Sequence, residues 1–260
     1  MNIVVFDAKP YDIEFFEKWN KQYGARITYY SEKLTLKTAA VLTKYQDVVC
    51  TFVNDDLNEK VIEILSRNGV RAIAIRAAGY NNVDIRAAYH NRVTVFRVPA
   101  YSPYAVAEHA LALLMTVNRK TNKAYNRTRE GNFSLVGLTG IDLNGKTAGV
   151  IGTGKIARIF IKILNGLGMN VIAYDKFPNE QAAKDENFTY VDLDEVFEKS
   201  DVISLHCPLL PDTKHIVNSE SISKMKKGVI IINSARGGLV NTESLIEGLK
   251  NKKIGGAGLD

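Results

Sequence analysis

Between Thr147 and Asp175 the chain spells out one strand–turn–helix–strand unit, and this segment constrains the fold more than any other. Thr147-Ala-Gly-Val-Ile151 is a short apolar run of the kind found in buried strands. Gly152-Thr153-Gly154-Lys155-Ile156-Ala157 follows at once and fits the pattern G-x-G-x-x-G/A. Ile156, Ile159, Phe160, Ile163, Leu164 and Leu167 then recur at helical spacing. Gly168 ends the helix, Asn170–Tyr174 forms a second strand, and Asp175 closes it. Each small residue has a physical reason. Gly152 permits a tight turn, Gly154 lets backbone approach a pyrophosphate, and Ala157 lets helix pack on strand. The helix start, including Lys155 and Ile156, offers free N–H groups and the positive end of a dipole to phosphate oxygens. Asp175 is an acceptor for ribose hydroxyls and repels a 2′-phosphate, which favours NAD over NADP; Lys176 softens that preference without reversing it.

The same alternation runs along the rest of the chain. Asn2–Phe6, Val48–Phe52, Ala72–Ile75 and Val93–Val98 read as buried strands. Tyr11–Tyr23 (through Ile13, Phe16 and Trp19) and Asn58–Asn68 carry helical spacing between them. Pro99-Ala-Tyr101-Ser102-Pro103 interrupts the pattern, with Ser102 as N-cap and Pro103 at the first helical position. The helix that follows, Ser102–Asn118, is apolar on most of its sides, which predicts burial between domains or against another subunit. A polar, glycine-dotted connection over Asn122–Gly145 comes next. Strands resume after Asp175 at Val202–His206, Val229–Asn233 and Gly256–Leu259. The expectation is an α/β chain with two parallel-sheet domains, residues 1–100 and 101–260.

Composition narrows the function classes. Charged residues make up 24% and hydrophobic residues 46%, an ordinary globular balance that argues against disorder. The net charge of +6 is spread along the chain, and its densest run, Lys224, Lys226 and Lys227, reads as a solvated connection, so no nucleic-acid partner is expected. Cys50 and Cys207 form no C-x-x-C pair, and no His/Cys/Asp cluster has metal-ligand spacing, so no metal is expected. The N-terminus lacks the marks of a signal peptide, and no uncharged apolar run approaches about 20 residues. The reading is a cytoplasmic protein with no membrane partner.

A second constellation lies further on. Asp201-Val-Ile-Ser-Leu-His206-Cys207-Pro208 is a strand stopped by proline. Gly228-Val-Ile-Ile-Ile-Asn233 is another, followed by Ser234-Ala235-Arg236-Gly237-Gly238. Ligands of open α/β sheets sit beyond the carboxyl ends of strands. Arg236 is placed there, and guanidinium is the natural clamp for a carboxylate.

With these residues in view, the chain resembles the NAD-dependent D-2-hydroxyacid dehydrogenases, most closely the bacterial fermentative type acting on D-lactate. Beyond the glycine turn, the likeness rests on Phe52-Val-Asn-Asp-Asp56, Arg76-Ala-Ala78-Gly79-Tyr-Asn-Asn-Val-Asp84, Arg97-Val-Pro-Ala-Tyr101 and Ala107-Glu-His-Ala110. It continues through Asn132–Gly140, Ser204–Leu209 and Asn233–Gly237. The resemblance implies a flavodoxin-like substrate domain and a Rossmann-type NAD-binding domain. It implies reduction of pyruvate to D-lactate with NADH in a homodimer joined largely by the nucleotide domain, a role suited to the Ser102–Asn118 helix.

By position, the resemblance has Arg236 bind the substrate carboxylate and polarise the carbonyl. The Ala78-Gly79 backbone and Tyr101 complete that pocket, and Phe52 supplies an apolar wall for a methyl group. Cys207, Pro208 and Thr213 flank the adenosine side of the cofactor. Ser234, Ala235, Arg236 and Asp260 lie on the nicotinamide side. The family's proton-donating histidine and its glutamate follow the position of Asp260 in the pattern. None of His90, His109, His206 and His215 takes the donor's place, so residues 1–260 are expected to be a fragment, nearly inactive alone, whose nucleotide domain is incomplete at its C-terminus. Two alternatives stay open: another 2-keto acid, such as a bulkier one, a phosphoglycerate-type acid or glyoxylate, and a non-catalytic NAD(H)-binding sensor module.

Overall fold

A computed structural model describes residues 1–260 and divides them into two compact units, Met1–Tyr101 and Ser102–Asp260. In the first, the elements are β1 (Asn2–Val5), α1 (Pro10–Asn20), β2 (Arg26–Tyr29), α2 (Leu36–Leu42), β3 (Val48–Thr51), α3 (Glu59–Arg67), β4 (Ala72–Ile75), α4 (Ile85–His90) and β5 (Thr94–Arg97). All strands pair in parallel, in the order β2-β1-β3-β4-β5. Strand residues alternate between two faces, as the pleat requires. Val4, Val49 and Ile73 point into the larger cluster with Leu34, Leu57, Ile62 and Leu65. Val5 and Cys50 point the other way, toward Phe16 of α1.

The second unit begins with α5 (Pro103–Arg119) and α6 (Thr121–Arg129). It continues with β6 (Thr147–Ile151), α7 (Lys155–Gly166), β7 (Asn170–Tyr174), α8 (Glu180–Glu186), β8 (Thr189–Tyr190), α9 (Leu193–Lys199) and β9 (Val202–Leu205). α10 (Ser219–Lys224), β10 (Val229–Asn233), α11 (Thr242–Lys250) and β11 (Ile254–Leu259) complete it. Its six parallel strands run in the order β11-β10-β9-β6-β7-β8. One sheet face packs on α5 and α7 through Ala148, Val150, Phe160 and Leu164; the other packs on α9 and α11 through Ile151, Ile203, Val196 and Leu245. The expected α/β class with two parallel sheets is what the chain forms.

Within this chain the Ser102–Asn118 helix buries one stripe, Ala107, Ala110, Leu114 and Asn118, while Tyr104, Glu108 and His109 are exposed. Spacing of three or four residues selects one face of a helix for the sheet. The polar stretch from Asn122 opens with a helix, α6, that buries no residue at all. Its partners are backbone groups: Arg127 Nη1 donates to the carbonyls of Ser134 (3.0 Å) and Val136 (2.7 Å). No helix is long and apolar enough to cross a membrane.

Candidate functional site

In the second unit, β6 has β9 on one side and β7 on the other, so the strand order reverses there and opens a crevice at the carboxyl ends. Gly152 leaves β6 at φ +91°, a region L side chains rarely adopt. A Cβ placed on it would stand 2.7–2.9 Å from Cys207 N, Cys207 Cα and the His206 carbonyl carbon. The turn thus lies against the backbone that follows β9, and only glycine fits.

Gly154 is the N-cap of α7 and has no side chain to accept a hydrogen bond, and nothing stands within 4 Å of where its Cβ would be. The first-turn N–H groups, those of Lys155 and Ile156 among them, are left to face a ligand phosphate.

Asp175 follows β7 and holds the glycine turn through Thr153. Its Oδ2 accepts from Thr153 N (2.6 Å) and Thr153 Oγ1 (2.9 Å), and its Oδ1 accepts from Phe177 N (2.9 Å). Partial burial raises the pKa of this carboxyl, but the N–H groups of Phe177 and Thr153 and the Thr153 hydroxyl outweigh it, and the net shift is downward. The group is a fixed, ionised acceptor with about one of its four lone-pair sites still free. Thr153 also shares a hydrogen bond with Tyr190 Oη at 2.8 Å. Sequence reading passed over Thr153 and Tyr190. The one available signal is that Thr153 lies between two functional glycines. Lys176 pairs with Asp212 at 2.9 Å.

After β9, Cys207 is buried, and loss of hydration pushes its thiol up to about 11, so it lines the crevice as a neutral group. The Thr213 hydroxyl donates to Pro208 O (2.6 Å) and accepts from Leu210 N (2.8 Å), which commits it to shaping that loop. His206 is partly buried, its ring tilted against Phe160 at 5.4 Å and 2.9 Å from Ser204 Oγ; burial pushes its pKa down to about 4. It is a neutral packing group at pH 7.

β10 delivers the last cluster. Asn233, nearly fully buried, accepts from Ala235 N (3.0 Å) and donates to Arg236 O (2.9 Å), folding the Ser234–Arg236 turn around its amide. Ser234 Oγ is buried with no partner. The Arg236 side chain is exposed, donates only to Ala235 O (2.8 Å), and forms no ion pair. Asp260 follows β11, donates its N–H to Asn233 O (3.0 Å), and stands 3.7 Å from His109 Nε2.

The residues read for the cofactor therefore gather at the carboxyl ends of neighbouring strands of one sheet. A glycine turn that a Cβ would fill, an uncapped helix start, a held carboxylate and an unpartnered buried hydroxyl fit a dinucleotide.

Phe52, Ala78, Gly79 and Tyr101 belong to the first unit. Phe52 follows β3, and Ala78 and Gly79 follow the adjacent β4. Arg97 Nη1 donates to Ala78 O at 3.1 Å while its guanidinium stacks on Tyr80 at 5.4 Å, which ties this loop to β5. Tyr101 closes the unit with its ring exposed.

The family model for the NAD-binding domain of D-isomer-specific 2-hydroxyacid dehydrogenases matches residues 111–260. The chain is 48% identical over 260 residues to D-lactate dehydrogenase of Escherichia coli, covering all of this chain and 78% of that protein. The apo-structure of the E. coli enzyme superposes with a TM-score of 0.92 over 100% of this chain and 82% of that one. Aquifex aeolicus D-lactate dehydrogenase, solved in complex with NAD and lactic acid, is 32% identical and superposes with a TM-score of 0.86 over 100% and 76% of the two chains. The chain belongs to the D-isomer-specific 2-hydroxyacid dehydrogenases, a family of NAD-dependent oxidoreductases.

Proposed function

We propose that this protein reduces pyruvate to D-lactate, with Arg236 holding the substrate carboxylate. The observation that carries the reading is an exposed guanidinium without an acidic partner, set at the carboxyl end of β10 beside the buried, unpartnered Ser234 hydroxyl. A positive charge left unpaired beside a nucleotide crevice has a ligand anion as its natural complement. The similarity to D-lactate dehydrogenases of E. coli and A. aeolicus supports lactate chemistry over other 2-hydroxy acids.

In this reading Gly152, Gly154, Lys155 and Ile156 receive the pyrophosphate, and Asp175 takes a ribose hydroxyl. Cys207, Pro208 and the loop shaped by Thr213 border the adenosine. Ser234, Ala235, Arg236 and Asp260 border the nicotinamide. When bound, NADH supplies the hydride that reduces the carbonyl carbon. Arg236 orients the acid through its carboxylate and draws electron density from the carbonyl. The Ala78-Gly79 backbone and Tyr101, all in the unit Met1–Tyr101, are the further carboxylate contacts, and Phe52 faces the methyl group. The carbonyl oxygen also needs a proton. His206, neutral and packed on Phe160, does not provide it, and none of the other three histidines stands at the family's donor position. A positioned acid contributes about 10²–10⁴-fold. We further place the protein in fermentative metabolism of the cytoplasm, as a homodimer joined through α5.

The test is Arg236→Lys. It keeps the charge and loses the two-pronged donor geometry, so kcat/KM for pyruvate falls on the order of 10²-fold or more while NADH affinity stays within about twofold. An unchanged kcat/KM would remove Arg236 from the reaction.

A further inference from the structure

We propose that Asn82, Asp55 and Arg76 are positioning residues for Phe52 and set which 2-keto acid side chains the protein accepts. This rests on the reading of Phe52 as the wall that meets the substrate's methyl group.

Phe52 is the first residue after β3 and opens a short turn, Phe52–Asp56, with no strand or helix of its own. Asp55, 2% exposed, folds back into that turn: its Oδ2 accepts from Phe52 N and its Oδ1 from Leu34 N, both at 2.6 Å. The amide of Asn82, from the loop after β4, donates to Phe52 O (3.2 Å) and Asp55 O (2.9 Å). Both backbone polar groups of Phe52 are thus held by side chains from either side of its Cα. A residue so held has little freedom in φ and ψ, and its ring direction follows.

The ring is fixed in turn. The Arg76 guanidinium lies over it, with Cζ 5.6 Å from the centroid. That guanidinium donates to Phe6 O (3.0 Å) and Asp7 O (3.2 Å), and its Nε is 3.4 Å from Asp12 Oδ1. Arg76 and Asp12 are mostly out of solvent, so this planar cation is itself immobile. Three side chains from two segments, Asp55 of its own turn and Arg76 and Asn82 of the loop after β4, converge on Phe52, which is only half-buried and belongs to none of the first unit's hydrophobic clusters. A network serving stability alone would converge on the core, on Leu57 or Ile62. This one fixes a ring at the carboxyl ends of the strands, where a ligand meets the sheet.

The experiment is steady-state kinetics of the full-length protein on pyruvate, 2-oxobutanoate and 4-methyl-2-oxopentanoate, for Phe52→Ala, Asn82→Ala and Arg76→Lys. Melting curves confirm the fold. Asn82→Ala and Arg76→Lys each lower the preference for pyruvate over 4-methyl-2-oxopentanoate by about tenfold, the scale of discrimination an apolar pocket supplies. The change enters through KM for pyruvate, with KM for NADH unaltered, a split that a loss of stability alone does not produce. Arg76→Lys keeps the charge and loses the stacked plane together with the paired guanidinium donors to Phe6 O and Asp7 O, so it carries the test even if Asn82→Ala does not fold. A preference moved by Phe52→Ala but untouched in the folded Asn82 and Arg76 variants overturns the positioning role. A preference untouched in all three variants overturns the reading of Phe52 itself, and the positioning role with it.

Discussion

Replacing Gly152 with alanine probes the nucleotide crevice at its tightest point. The residue sits at φ +91°, and the added Cβ would lie 2.7–2.9 Å from three backbone atoms of His206 and Cys207. A left-handed backbone costs an L residue about 1–2 kcal/mol. Overpacking a well-packed site costs about 1–3 kcal/mol more. Backbone cannot swing aside as a flexible side chain can, so the two costs combine to about 2–5 kcal/mol. In a unit of this size each kcal/mol moves the melting temperature by about 2–4 °C, which gives a fall of roughly 4–20 °C. Whatever strain is relieved by parting the ends of β6 and β9 reshapes the turn that meets the pyrophosphate, so NADH affinity falls by about tenfold or more. Gly154→Ala is the control. Its φ of −67° is ordinary and its Cβ meets nothing within 4 Å. It lowers the melting temperature by only about 2–4 °C, since alanine is a poorer N-cap than glycine by about 1 kcal/mol, yet it weakens NADH because the methyl group occupies the approach. Thermal melts and fluorescence titration with NADH read both. A Gly152→Ala protein that melts and binds as the parent does would refute the reasoning.

Asp175→Ala removes the held acceptor: the Kd for NADH rises about tenfold, the worth of a charged hydrogen bond, and discrimination against NADPH relaxes, as binding titrations with both cofactors report. Asp212→Asn releases Lys176 from its 2.9 Å ion pair; because exposed pairs are weak, the gain in kcat/KM for NADPH is only about two- to fivefold, with NADH unaffected. His206 is depressed from 6.5 to about 4 by burial, so the unfolded chain takes up a proton that the folded one refuses as pH falls from 6.5 toward 4. Stability is therefore lost across that window, by on the order of 3 kcal/mol. Urea titrations at pH 7 and pH 5 show the loss, and His206→Gln flattens it.

The parts of this fold legible in the sequence are those where local pattern and tertiary role agree. In β6–α7–β7, buried strands, a helix with one apolar face and two glycines all demand the same unit, and the chain makes it at Thr147–Tyr174. β2 and α2 are different. Arg26–Tyr29 has a single aliphatic residue, Ile27, and pairs on one side only, so its strand character comes from β1 rather than from its own side chains. α6 is polar on every side and shows no apolar period to read. The candidate site was legible residue by residue but not in its wiring. Gly152 and Asp175 announce themselves, whereas Thr153 holding Asp175, Asn233 folding the Arg236 turn, and Asn82 clamping Phe52 are long-range or conformational facts with no spacing to betray them.

The strand order of each sheet also bears on how the chain is made. β1 and β6 are the first strands of their units to be synthesised, and both end inside their sheets. Every later strand joins an open edge of those already present: β2 on one flank of β1, then β3, β4 and β5 on the other; β7 and β8 on one flank of β6, then β9, β10 and β11 on the other. No strand has to be threaded between two that are already paired. Folding can thus keep pace with translation, growing outward from a seed that emerges early. The nucleotide crevice takes shape midway in that sequence, when β9 arrives and sets Cys207 against the waiting glycine turn, and β10 and β11 complete it.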